Sequence, residues 1–173
     1  MNCQNCGAPM KLVLEKTYYL CEYCGSVYYP EATPDGVRSL SHPSDYSCPL
    51  CKKPLSHAAI DDTPVLYCEN CRGVLIPTKS FVSTIDKRRK NLNHSPVIPP
   101  PLDMGELDRR LNCPQCGKRM HTHPYGGPGN IIIDNCPDCR LNWLDYREFW
   151  QIVTARDPRR QDDDPLAWFT PPD

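Results

Sequence analysis

Apolar residues in this chain come in short bursts. Leu12-Val13-Leu14, Val65-Leu66-Tyr67 and Ile131-Ile132-Ile133 are about the longest. Thr17-Tyr18-Tyr19-Leu20, Pro64-Val65-Leu66-Tyr67 and Ile131-Ile132-Ile133 lead into cysteine pairs and, rich in β-branched and aromatic residues, read as strands. Two stretches carry the helical period instead. Phe81, Val82 and Ile85 follow Thr78, which predicts a helix capped by that threonine and burying those three residues. Phe149, Ile152 and Val153 follow Asp145-Tyr146-Arg147-Glu148, a capping-box pattern. Gly105 to Leu111 is read as a further short helix. Residues 31–47, with Pro34, Gly36, Pro43 and several serines, read as linker. So do residues 90–111, where Pro99-Pro100-Pro101 favours polyproline II. Residues 157–173, charged and proline-rich, read as a mobile tail.

Composition changes the picture. Of 173 residues only three are Phe, while twenty are Pro and twelve are Cys. That is too little apolar material for one large core, so small units held by disulfides or metal are expected. All twelve cysteines lie in Cys-x-x-Cys pairs. Cys3/Cys6 go with Cys21/Cys24, Cys48/Cys51 with Cys68/Cys71, and Cys113/Cys116 with Cys136/Cys139. The intervals of fourteen, sixteen and nineteen residues each allow a hairpin that returns one pair to the other, offering four sulfurs to one tetrahedral metal. The start of the chain is polar and already inside the first motif. It shows no signal-peptide pattern, which points to the cytoplasm and to reduced, metal-bound thiols rather than disulfides.

The expected fold is therefore small, mainly β and metal-stabilised: three tandem four-cysteine zinc ribbons, one Zn2+ in each. Residues 1–30 form ribbon 1, 48–89 ribbon 2 with a trailing helix, and 112–156 ribbon 3 with a trailing helix. The repeats agree beyond the cysteines. Met10, Leu55 and Met120 stand four residues after the second Cys, and Tyr28, Leu75 and Trp143 four after the fourth. They are read as the small core beside each metal. Gly7, Gly25, Lys52, Arg72, Gly117 and Arg140 follow the pairs, where a knuckle turn often needs a positive φ.

Cys48-Pro49-Leu50-Cys51 with Cys68-Glu69-Asn70-Cys71-Arg72-Gly73-Val74, and Cys113-Pro114-Gln115-Cys116-Gly117 with Cys136-Pro137-Asp138-Cys139, resemble the bacterial transcription-factor-IIB-type zinc ribbon. Ribbon 3 also has Trp143-Leu144-Asp145 and Glu148-Phe149 in that family's register. Ribbon 2 departs, with Leu75-Ile76-Pro77 there, and ribbon 1 is similar to a simpler zinc ribbon without a helix. The resemblance covers about two-thirds of the chain and implies a small bacterial zinc-binding protein. It assigns no activity, and a role in transcription would be analogy of fold alone.

The formal charge is −1 with neutral thiols. Zinc ligands are thiolates, so each four-thiolate site carries a charge of −2 and the loaded protein about −7. That balance disfavours non-specific nucleic-acid binding. No apolar run is long enough to span a membrane. Four thiolates fill a tetrahedron and leave no open position, so no enzyme activity and no small-molecule substrate are expected. The favoured reading is an adaptor for another protein. A nucleic-acid-binding module is the alternative, and an iron-bearing electron carrier a third, since the same spacing suits iron. Candidate contacts are Tyr125 in the glycine-rich loop of residues 124–130, the basic run Lys87, Arg88, Arg89 and Lys90, and Trp168 and Phe169 in the tail. Each has a plainer explanation: a turn, a solvated helix end, and a tail folded back. His121 and His123 alternate, and are read as exposed hairpin residues before metal ligands.

Overall fold

A computed structural model describes residues 1–92 and 95–157 of the chain. The first ribbon is a three-stranded antiparallel sheet of β1 (Lys11–Val13), β2 (Tyr18–Leu20) and β3 (Val27–Tyr28), in that order. A 3-10 turn over Leu14–Lys16 joins β1 to β2, with Thr17 left-handed at its end. Tyr19 pairs across the sheet with Tyr28.

The described strands after Tyr29 form a second, larger sheet. Its strands are β4 (Val37–Ser47), β5 (Pro54–Ile60), β6 (Thr63–Tyr67), β7 (Val74–Pro77), β8 (His121–Pro124), β9 (Ile132–Cys136) and β10 (Leu141–Leu144). They run in the order β4-β5-β6-β7-β10-β9-β8, every neighbouring pair antiparallel. Ribbons 2 and 3 are thus one sheet, not two units on a flexible tether. The joint is β7 against β10, with Leu75 opposite Trp143, Val74 opposite Leu144 and Ile76 opposite Asn142. Leu75 and Trp143 hold the same place in their repeats, so the two ribbons are related by a local two-fold axis through this pair.

The strand β4 corrects the reading of residues 31–47 as linker. Pro43 and the serines argue against a central strand, but β4 is the outermost strand of its sheet, where proline is tolerated. Its pairing with β5 is shifted between Ser39 and His42 and again between Pro43 and Ser47, which accommodates the irregular sequence. Val37 and Leu40 are buried.

Alternation along the strands divides the apolar residues between two faces. Val65, Tyr67, Val74, Ile76, Ile131, Ile133 and Leu144 join one cluster with Phe81, Ile85, Phe149, Ile152 and Val153 of the two helices. Leu55, Leu75, Leu111, Met120 and Trp143 form a second cluster with the buried cysteines of ribbons 2 and 3. The helices are α1 (Thr78–Asn91) and α2 (Glu148–Thr154). In α2 the expected residues Phe149, Ile152 and Val153 are buried. In α1 two expectations fail. Thr84 is buried and Val82 is exposed, because Phe81, Thr84 and Ile85 make the inward stripe. Thr78 is the first helical residue, and its hydroxyl turns to Asn142 rather than capping.

The span of residues 90–111 is tied down in its described part. Val97 bonds backbone to backbone with Thr154 and Arg156, and Asn130 donates to the Pro100 carbonyl. The expected helix near Gly105 is a 3-10 turn over Met104–Asp108, whose Asp103 side chain accepts from the Gly105 N–H. Arg109 then enters the fold between Asp134 and Asp145. Trp168, Phe169 and the rest of residues 158–173 lie outside the described residues.

Candidate metal centres

Six turns build the three sites. In each of five Cys-x-x-Cys pairs the first cysteine's N–H donates to the carbonyl five residues on, and its carbonyl accepts from the N–H four residues on. This wraps the backbone around the sulfurs. The residue after each pair is left-handed in all six turns: Gly7, Gly25, Lys52, Arg72, Gly117 and Arg140, with φ between 55° and 76°. Three turns use glycine and three accept the cost of a long side chain there.

The turns bring the sulfurs together in fours: Cys3, Cys6, Cys21 and Cys24; Cys48, Cys51, Cys68 and Cys71; Cys113, Cys116, Cys136 and Cys139. All four sulfurs of each set lie within 4.8 Å of one another. Sγ–Sγ separations of 3.5 and 3.6 Å in the first set, 3.4 and 3.5 Å in the second and 3.7 Å in the third are far too long for disulfides, whose S–S bond is about 2.05 Å. A tetrahedron with Zn–S bonds of about 2.3 Å has edges of about 3.8 Å. The sets therefore fit Zn2+, and all twelve cysteines expected as ligands stand in them.

Their surroundings differ. Cys48 is buried, and burial pushes its thiol up to about 11. Burial likewise pushes the Cys139 thiol up to about 12. A thiolate in such a place needs the positive charge that a metal supplies. In ribbon 1, Cys6 and Cys24 are exposed. The Ser26 hydroxyl stands 3.1 Å from the Cys24 sulfur and, with the Ser26 backbone, holds that thiol at about 6.

Residues 112–155 match the model of a transcription factor zinc-finger family, the TFIIB-type zinc ribbon. No curated protein and no solved structure matches the chain. The matched span is ribbon 3 in full, from the residue before Cys113 to the residue after α2. Trp143, at the centre of its last strand, is fully buried. Its ring lies over Gly73 of ribbon 2, where even a Cβ would come within 2.1 Å of it. Its indole N–H donates to Asp145 at 2.8 Å.

Asp145 anchors the end of the TFIIB-type ribbon. Its carboxylate holds Arg109 and Trp143, while its N–H donates to Glu148 at 2.5 Å, so half of the expected capping box forms. Glu106, Asp145 and Glu148 bring three carboxylates within 4.8 Å. Arg109 balances this group, and burial raises the Glu148 carboxyl to about 8. Arg109 also meets Asp134 at 2.6 Å, which is fully buried and accepts from Thr122 at 2.5 Å. The Arg109 bridge was not foreseen from the sequence. The signal was Asp134 itself, one charge ending the run Ile131-Ile132-Ile133.

The proposed contact residues take different roles. Tyr125 packs edge-on against Phe81 of α1, ring centres 5.3 Å apart, and is half-buried. Arg88 pairs with Asp61 at 2.9 Å. Arg89 donates to the carbonyls of Ile152 and Ala155 at the end of α2. Lys87 pairs with Asp62 on the surface, and Lys90 is exposed. His121 and His123 are exposed on the outermost strand β8, and neither enters a metal-ligand group among the described residues. Among those residues no helix is long and apolar enough to cross a membrane.

Proposed function

We propose that the chain is a non-catalytic, zinc-stabilised adaptor that binds a protein partner in the cytoplasm. Each metal set has four thiolates for four tetrahedral positions, which leaves no place for a substrate or an activated water. The observation that carries the choice against nucleic acid is the fate of the basic run. Arg88 and Arg89 are engaged inside the fold, and Arg109 is held by two carboxylates. Of the run itself, Lys87, paired with Asp62, and Lys90 remain exposed. We also read ribbon 2 as a repeat of the TFIIB-type unit, and ribbon 1 as a simpler zinc ribbon, on the matching positions of their cysteines and core residues.

The second reading, a nucleic-acid module, is favoured by the description of the family matched at 112–155 and by exposed Lys87 and Lys90. Fluorescence anisotropy with single- and double-stranded oligonucleotides separates the two. The adaptor reading expects weak binding with a shallow dependence on salt. A steep loss of affinity with salt, flattened by changing Lys87 and Lys90 to Gln, would make the nucleic-acid module the better account. Capture of the tagged chain with and without nuclease then identifies the partner. The iron-bearing carrier is tested by colour: four-thiolate iron absorbs in the visible, and the zinc protein is colourless.

A further inference from the structure

Ribbons 2 and 3 complete each other, and ribbon 1 repeats their surface with, among the described residues, no strand paired to its open edge; it meets β4 elsewhere, where Tyr19 donates to the Leu40 carbonyl and Arg38 lies over Tyr29. Three positions show this. Two residues before the first cysteine stand Tyr46, Leu111 and, in ribbon 1, Met1. Four after the second cysteine stand Leu55, Met120 and Met10. Four after the fourth stand Leu75, Trp143 and Tyr28. In the double ribbon these residues pack into one shared cluster, with Leu111 only 6% exposed. In ribbon 1, Met1 is 63% exposed, Met10 and Tyr28 are half-buried, and all three line an open groove with Val27 and Ser26. The strand at its rim, β3, is the counterpart of β7 and β10. It is the last strand of its sheet; Val27 on it and Tyr29 just after it are about half exposed, Tyr29 with Arg38 over its ring.

We propose that this face of ribbon 1 binds a second copy of the same face, giving a two-fold dimer in which β3 pairs antiparallel with β3 of the other chain. The β7–β10 joint supplies the register: equivalent residues sit opposite at the centre, with their neighbours exchanged about it. Transferred to ribbon 1, Tyr28 lies opposite its own copy and Val27 opposite Tyr29 of the second chain. Aromatic and β-branched pairs of this kind favour strand pairing. Room for the rings is provided in the same way. Gly73, two residues after its knuckle, lies under the ring of Trp143, and the residue at that place in ribbon 1 is Ser26, also small. Charge permits the self-contact. No Asp, Glu, Lys or Arg side chain lines the groove, so the two-fold sets none of these against its own copy. Nor does β3 carry the lysine or proline that commonly blocks an open edge. This pairing is independent of whatever partner the double ribbon holds, so it stands apart from the adaptor reading.

The test is sedimentation of the zinc-loaded full-length chain over a wide concentration range. A monomer–dimer equilibrium is expected. Tyr28→Glu sets two carboxylates opposite each other and weakens the dimer about tenfold or more. An equimolar mixture of Tyr28→Glu and Tyr28→Lys restores it. Three zinc ions per chain in each variant report that ribbon 1 is folded. Should Tyr28→Glu lose zinc, Val27→Lys blocks the same edge from a more exposed position. A chain that stays monomeric throughout overturns the proposal. So does a dimer that survives both substitutions, or one lost in Tyr28→Glu and not recovered in the mixture.

Discussion

Ribbon 1 and the double ribbon use the same sulfur geometry but bury it differently. In ribbons 2 and 3 the residues around the sulfurs are covered by the opposite ribbon, and Trp143, Leu75, Leu55 and Met120 are almost wholly buried. In ribbon 1 the matching residues stay open, and two of its four cysteines are exposed. A single ribbon thus has a metal and half a core. The other half comes from a neighbour, and the double ribbon shows that another ribbon can supply it. Zinc binding and folding are therefore expected to be coupled.

The comparison breaks most sharply at its centre. Trp143→Ala removes the ring shared by ribbons 2 and 3, and is expected to cost about 3–5 kcal/mol. Hydrogen exchange should speed up in β7 and β10 together and leave β1 to β3 unchanged. Loss confined to ribbon 3 would mean that the two ribbons are energetically separate. Arg109→Met leaves Asp134 buried without its cation, and a comparable loss of about 3–5 kcal/mol is expected in denaturant melts.

The next effect is a pH dependence confined to the double ribbon. Glu148 has its carboxyl raised to about 8 by burial. The folded state therefore holds a proton that the unfolded chain releases, and this contribution is lost as pH rises toward the raised value. From about pH 6, where the thiolates still bind zinc, to about pH 8 the stability should fall by about 2–3 kcal/mol at most. Glu148→Gln should flatten that slope. A slope unchanged in the variant would assign it to another group. Smallest is Val82→Ala on the exposed side of α1, expected within about 0.5 kcal/mol of the parent in the same melts.

The metal sites were legible from the sequence because a Cys-x-x-Cys pair is local. Its turn, its positive φ and its two sulfurs all follow from five neighbouring residues. The helix α2 was legible for the same reason, from Glu148, Phe149, Ile152 and Val153. What stayed hidden was non-local. Nothing adjacent to Leu75 announces that Trp143, far along the chain, sits opposite it, and Gly73 reads as a turn residue until the ring above it is seen. The strand β4 was hidden by its own proline and serines, which an outermost strand tolerates and a central strand does not. The basic run at the end of α1 read as solvated because its acceptors, Asp61 and the carbonyls of Ile152 and Ala155, come from other elements.

The most direct measurement of the central claim is to count zinc by native mass spectrometry while a chelator is added in steps, with circular dichroism recorded in parallel. Ribbons 2 and 3 should act as one unit. The chain with three zinc ions should pass to two as ribbon 1 loses its more exposed metal. The last two should then leave together as the main sheet unfolds. Independent loss through an abundant one-zinc species, or loss of all three with circular dichroism unchanged, would contradict the account.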